Sequence, residues 1–155
     1  MFKLQKDFIS GTMSGKHVLT FIFLLVLSIA GGKDTLRDQK NITAESGQDV
    51  TLTCRASNNN IIVVRWSRAD LESEYVLLYR DEQSVPDNQH PYFKNRVDLQ
   101  DRQMKDGDVS LILKNVTITD TGTYECRVVQ RVREPMRLIK TIFLSVVDPP
   151  GYFNE

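Results

Sequence analysis

Cys54, Trp66 and the run Asp120-Thr121-Gly122-Thr123-Tyr124-Glu125-Cys126 constrain this chain more than any other residues in it. The only two cysteines stand 72 positions apart, and the only tryptophan follows the first of them by 12. Tyr124 precedes the second cysteine by two, inside a D-x-G-x-Y-x-C pattern. In an oxidising compartment, two cysteines make one disulfide the economical reading, against the alternative of two free thiols. A bridge closing so long a loop stabilises a fold by about 4–5 kcal/mol in the chain-entropy model, a large part of the ~5–15 kcal/mol that holds a typical domain.

The start of the chain points to such a compartment. Val18–Ala30 is an almost wholly apolar run preceded by Lys3, Lys6 and Lys16, with Ser28 and Ala30 at the small-residue positions of a cut after Ala30. Residues 1–30 therefore read as a secretory signal peptide. The alternative is a membrane anchor, but a helix of that run rises only about 20 Å against a ~30 Å hydrocarbon core. Met13 is a second available start. Removing residues 1–30 lowers Lys+Arg from 20 to 17 and Asp+Glu from 20 to 19. The remaining net charge of −2 offers no basic footprint for nucleic acid. No later apolar run reaches about 18 residues, so no transmembrane segment is expected. The product is expected to be secreted, or to lie on the external side of the plasma membrane if the chain is a fragment of a longer anchored protein.

Residues 31–40 read as a flexible N-terminal segment, 41–147 as one domain and 148–155 as a C-terminal tail. Within the domain, short alternating runs broken by turn residues predict an all-β sandwich. Val50–Arg55 puts Val50, Leu52 and Cys54 on one face; Ile61–Ser67 puts Ile62, Val64 and Trp66 inward, Val63 and Arg65 outward. Further strands are expected at Tyr75–Arg80, Arg96–Leu99, Val109–Leu113, Thr123–Val129 and Leu138–Val147. Asn58-Asn59-Asn60 is a loop, and Asp81–Asn95 is a polar loop with at most one short edge strand. Asp106-Gly107 is a hairpin signal between the runs at 96–99 and 109–113.

Catalytic chemistry finds little to work with. His17 leaves with the signal, so His90 is the remaining histidine, whereas a triad needs a base beside serine or cysteine. Clustered zinc ligands are missing, and the acidic loops (Asp81, Glu82, Asp87; Asp101, Asp106, Asp108) lack calcium-loop spacing. The expectation is no enzyme, no metal, no cofactor and no small-molecule substrate. Two sequons, at Asn41-Ile42-Thr43 and Asn115-Val116-Thr117, are N-glycosylation acceptors in a secreted chain.

Arginines gather at Arg65, Arg127, Arg131, Arg133 and Arg137. Alternation from an inward Cys126 puts Arg127 and Val129 on an outer sheet face that Val63, Arg65, Tyr75 and Tyr79 can share. Arginine and tyrosine among apolar residues compose protein-binding hot spots. The alternative is a solvated face whose arginines pair with Glu125, Glu72 and Glu74.

The arrangement Cys54, Trp66, Asp120, Gly122, Tyr124, Cys126 resembles the immunoglobulin variable-type (V-set) domain over about Asn41 to Val147. The resemblance implies an immunoglobulin-like β-sandwich of variable type with Greek-key connections, its two sheets pinned by the disulfide against a buried Trp66. It implies a tyrosine corner at Tyr124 and an Arg96–Asp120 pair closing the bottom of the sandwich. Antigen-receptor variable domains carry a phenylalanine-glycine-x-glycine bulge in the last strand; Arg137–Phe143 has no glycine, which speaks against that group. The runs Gly47–Cys54, Tyr75–Arg80 and Leu111–Val116 resemble the butyrophilin, myelin-oligodendrocyte-glycoprotein and T-cell co-signalling ligand group. Members bind receptors through the outer face that the family labels G-F-C-C′. The implied partner is a cell-surface protein receptor or counter-ligand, met by Val63, Arg65, Tyr75, Tyr79, Arg127, Val129, Arg131 and Arg133. The implied role is immune recognition and regulation of T-cell responses. A homophilic or heterophilic adhesion module, with a possible homodimer, is the alternative.

Overall fold

A computed structural model describes residues 39–57 and 60–151. The signal peptide, most of the 31–40 segment, Asn58-Asn59 of the asparagine loop and the end of the tail lie outside the described residues.

The alternating runs become nine strands among the described residues: β1 (Gln39–Glu45), β2 (Val50–Leu52), β3 (Val63–Arg68), β4 (Leu77–Arg80), β5 (Gln83–Ser84), β6 (Val97–Leu99), β7 (Leu111–Leu113), β8 (Gly122–Val129) and β9 (Arg137–Val147). They form a six-stranded sheet in the order β1-β9-β8-β3-β4-β5 and a three-stranded sheet in the order β2-β7-β6. The chain is an all-β, immunoglobulin-like sandwich of variable type, as the sequence predicts.

Period-two alternation builds the core. Val64 and Trp66 of β3, Tyr124, Cys126 and Val128 of β8, and Ile142, Leu144 and Val146 of β9 point inward. Leu52 of β2 and Leu111 and Leu113 of β7 face them from the other sheet. The Cys54–Cys126 disulfide joins the layers. Trp66 lies beside Cys126 in the β3–β8 register and its indole N–H donates to the Val109 carbonyl at 2.9 Å, so the buried ring leaves no orphan donor.

Several sequence boundaries need correction. β1 opens at Gln39, so Gln39 and Lys40 belong to a strand and not to the flexible segment; it runs parallel to β9. β2 stops at Leu52 because the Ser110 hydroxyl, not a strand carbonyl, accepts from the Cys54 N–H at 3.1 Å. Ile62, expected inward, is only half-buried, and Ile61 packs against the core beside it. The β6–β7 connection is no tight hairpin: it spans Gln100 to Ser110, with Met104, Asp106 and Gly107 in left-handed conformations. The polar 81–95 loop hides a core residue, because a single turn at Pro91–Phe93 drives Phe93 completely inside.

β9 also bulges without glycine. Cys126 pairs with Lys140 while Arg127 pairs with Leu138, so Ile139 is the extra residue and packs toward the core. No residue from Leu138 to Lys140 needs a positive φ, which is why the missing glycines do not prevent the bulge.

Candidate functional site

The outer face of the larger sheet is set by register. Arg65 sits opposite Arg127 on one side and Leu78 on the other, and Val63 sits opposite Val129 and Arg80. On β9 the outward positions are Leu138, Thr141 and Phe143, opposite Arg127, Glu125 and Thr123. The face therefore mixes Val63, Leu78, Val129, Leu138 and Phe143 with threonines, Glu125 and Arg80, and has two arginines at its centre.

Those arginines differ. Arg127 donates from Nε and Nη2 to Glu125 Oε2 at 3.1 and 2.8 Å. Arg65 makes no ion pair among the described residues, and its Nε is buried with no hydrogen-bond partner. Its guanidinium lies 5.9 Å from the Tyr75 ring centroid. A buried donor left unmade costs about 1–3 kcal/mol, so it calls for an explanation.

Three expected contact residues are largely covered. Tyr79, at 5% exposure, points into the core, and its hydroxyl donates to the Glu82 carbonyl at 2.7 Å. The reason is phase: Leu77 pairs with Trp66 and Tyr79 with Val64, so the odd members of β4 face inward and Leu78 takes the outer position. Tyr75 precedes β4, in an isolated bridge to Gln89. It lies on the Arg65 side but is only 6% exposed, with its hydroxyl donating to the Val85 carbonyl; burial and then the Asp87 charge raise its pKa. Val63 is outward yet only 8% exposed. Sequence alternation gave the period of this strand but not its phase.

Arg131 and Arg133 leave the face altogether. They occupy the β8–β9 loop, in a turn closed by the Glu134 N–H donating to the Arg131 carbonyl at 3.1 Å. Arg133 sits there at φ 68°, the left-handed region that favours glycine. Glu134 lies between Arg131, at 3.6 Å, and Arg137, at 3.9 Å. Val132, between the two turn arginines, is 80% exposed. Sequence reasoning missed it, although an apolar residue at a turn tip between charges is the available signal.

At the opposite end the signature residues converge. Asp120 is fully buried; it accepts from Arg96 Nη1 and Nη2 at 3.2 and 2.7 Å and from the Thr117 N–H at 2.8 Å. The hydrogen bond to Asp120 holds the Arg96 pKa above its ordinary value. Tyr124 donates to the Asp120 carbonyl at 2.7 Å, and burial pushes its hydroxyl pKa up. A Cβ on Gly122 would come within 3.0 Å of Arg68 Cδ, so the glycine makes room for that side chain. Arg68 then reaches the Thr119 carbonyl at 2.9 Å and Asp70. Asn115 and Asn41 are both exposed. No cluster of three or more histidine, cysteine or acidic groups is placed to hold a metal among the described residues.

This fold, with a disulfide-backed tryptophan, a tyrosine corner and an arginine–aspartate clasp at the base, defines a variable-type immunoglobulin domain. Residues 37–147 match the immunoglobulin V-set domain family, and the chain belongs to it. It is 32% identical over 111 residues to butyrophilin subfamily 1 member A1 of Mus musculus, covering 70% of this chain and 21% of that protein. It is 32% identical over 117 residues to the V-set domain-containing T-cell activation inhibitor 1 of Rattus norvegicus, covering 74% of this chain and 36% of that protein. The chain thus spans about a fifth to a third of the length of these curated relatives. Among solved structures, bovine butyrophilin superposes with a TM-score of 0.59 at 27% identity, over 69% of this chain and 50% of that one.

Proposed function

We propose that the chain is an extracellular binding module that engages a cell-surface protein receptor or counter-ligand, in immune recognition and regulation of T-cell responses. It does so through the outer face of β9, β8, β3 and β4. The observation that carries the reading is Arg65. A cation with a buried Nε that has no partner among the described residues lies between Arg127 and Leu78 in the sheet register, on a face with no second layer of this chain's described strands above it. A partner acceptor that draws the Arg65 guanidinium outward would free the Nε donor to be satisfied, while apolar partner groups cover Leu78, the arrangement of an interface hot spot. The T-cell role rests on kinship with a relative named a T-cell activation inhibitor.

The test is a screen of the purified, disulfide-bonded domain against cell-surface receptor ectodomains, followed by Arg65→Glu and Arg127→Glu against the receptor found. Loss of binding with unchanged melting temperature supports the reading. Unchanged binding by both variants rejects this face. Adhesion through a second copy has one observation in its favour, since the face carries Glu125 as well as arginines. Reversible dimers in sedimentation at rising concentration, abolished by Arg65→Glu, select that reading instead.

A further inference from the structure

The Asn41 sequon lies on this same face. In β1 Gln39 and Lys40 are both exposed, and from Asn41 on the exposed Asn41, Thr43 and Glu45 alternate with the half-buried Ile42 and buried Ala44. Ile42 and Ala44 pair with the inward Leu144 and Val146, so Asn41 shares the outward side of the sheet with its partner Phe143. The sheet order then sets how far each part of the face lies from Asn41. At about 4.8 Å per strand, β9 is one spacing away, whereas β4 is four spacings away, about 19 Å. A glycan is bulky and hydrophilic and has to stand on the side to which its asparagine points. Asn115 differs: it sits at φ 48° in the turn after β7, on the smaller sheet, with its carbonyl accepting from Arg96 of the basal clasp.

We propose that an N-glycan on Asn41 roofs the β1–β9 margin of the outer face, covering Phe143, and confines partner docking to the β8–β3–β4 half around Arg65. The docking consequence rests on the proposed binding role of this face; the roof itself does not. Half-buried Phe143 is then an apolar residue shielded by sugar and not a contact residue.

The experiment is hydroxyl-radical footprinting of the full chain secreted by eukaryotic cells, with peptide mapping of Asn41 and Asn115 occupancy. The expected result is a glycan on Asn41 and low Phe143 labelling, which rises in Asn41→Gln and stays low in Asn115→Gln. Leu78 labelling stays constant throughout. If Asn41→Gln is not secreted, endoglycosidase trimming of the folded wild-type protein has to raise Phe143 labelling in the same way. An unmodified Asn41, or equal Phe143 labelling with and without its glycan, overturns the proposal. Arginine variants that leave receptor binding intact while Phe143 protection persists remove the docking role and leave the roof standing.

Discussion

The base of the sandwich and its outer face both carry arginines, and they treat them in opposite ways. At the base, Arg96 spends its donors on Asp120 and on the carbonyls of Lys114 and Asn115, and its plane stacks 4.6 Å from the Tyr92 ring centroid. On the face, Arg65 keeps a buried donor without an acceptor, and at the loop tip Arg133 occupies a backbone region that disfavours it. The fold is secured where every polar group is matched. Left-handed backbone is not confined to the loop, since Asn95 and Asn115 adopt it beside the clasp, so the contrast rests on the unmatched Arg65 Nε.

That contrast is broken or sharpened by substitution. Asp120→Ala strands Arg96 and the Thr117 N–H, with an expected loss of about 2–3 kcal/mol in denaturant unfolding. This is less than a fully buried pair would lose, because Arg96 is 22% exposed. Gly122→Ala forces Cβ against Arg68 and is expected to cost about 1–2 kcal/mol. The double variant with Arg68→Ala has to recover part of it, and strict additivity of the two losses refutes the contact. Arg133→Gly relieves a left-handed φ and is expected to stabilise by about 0.5–1 kcal/mol. Thermal melting that shows a loss contradicts strain at that turn. Arg65→Met removes the unsatisfied donor at the expense of the contact with the Tyr75 ring, and is expected to stabilise by about 0.5–1 kcal/mol. A loss as large as that of Asp120→Ala erases the distinction between the two regions.

Legibility in the sequence follows the same division. Cys54, Trp66, Arg96, Asp120, Tyr124 and Cys126 are readable because each makes a contact that few side chains can make, at spacings set by strand period. Gly122 is readable as part of a pattern, but its reason, the Arg68 side chain, is not. The face is readable only where the phase is anchored. Cys126 anchors β8 and Trp66 anchors β3, so Arg65, Arg127 and Val129 are placed outward, as alternation requires. β4 has no such anchor, and the outward expectation for Tyr79 fails because Tyr79 pairs with the inward Val64. Phe93 and Val132 escape notice because a single turn, not a periodic pattern, decides which way each points.

The parallel pairing of β1 with β9 also bears on how the domain carries tension. Gln39 lies beside Thr141 at one end of the pair and Glu45 beside Val147 at the other, so a pull on Gln39 against Val147 loads all seven register pairs in shear at once. Unzipping them one by one is not the path that such a force follows. Behind that patch, the bridge from Cys54 to Cys126 keeps the 72-residue loop from being drawn out, so the length released on stretching comes only from the segments outside it.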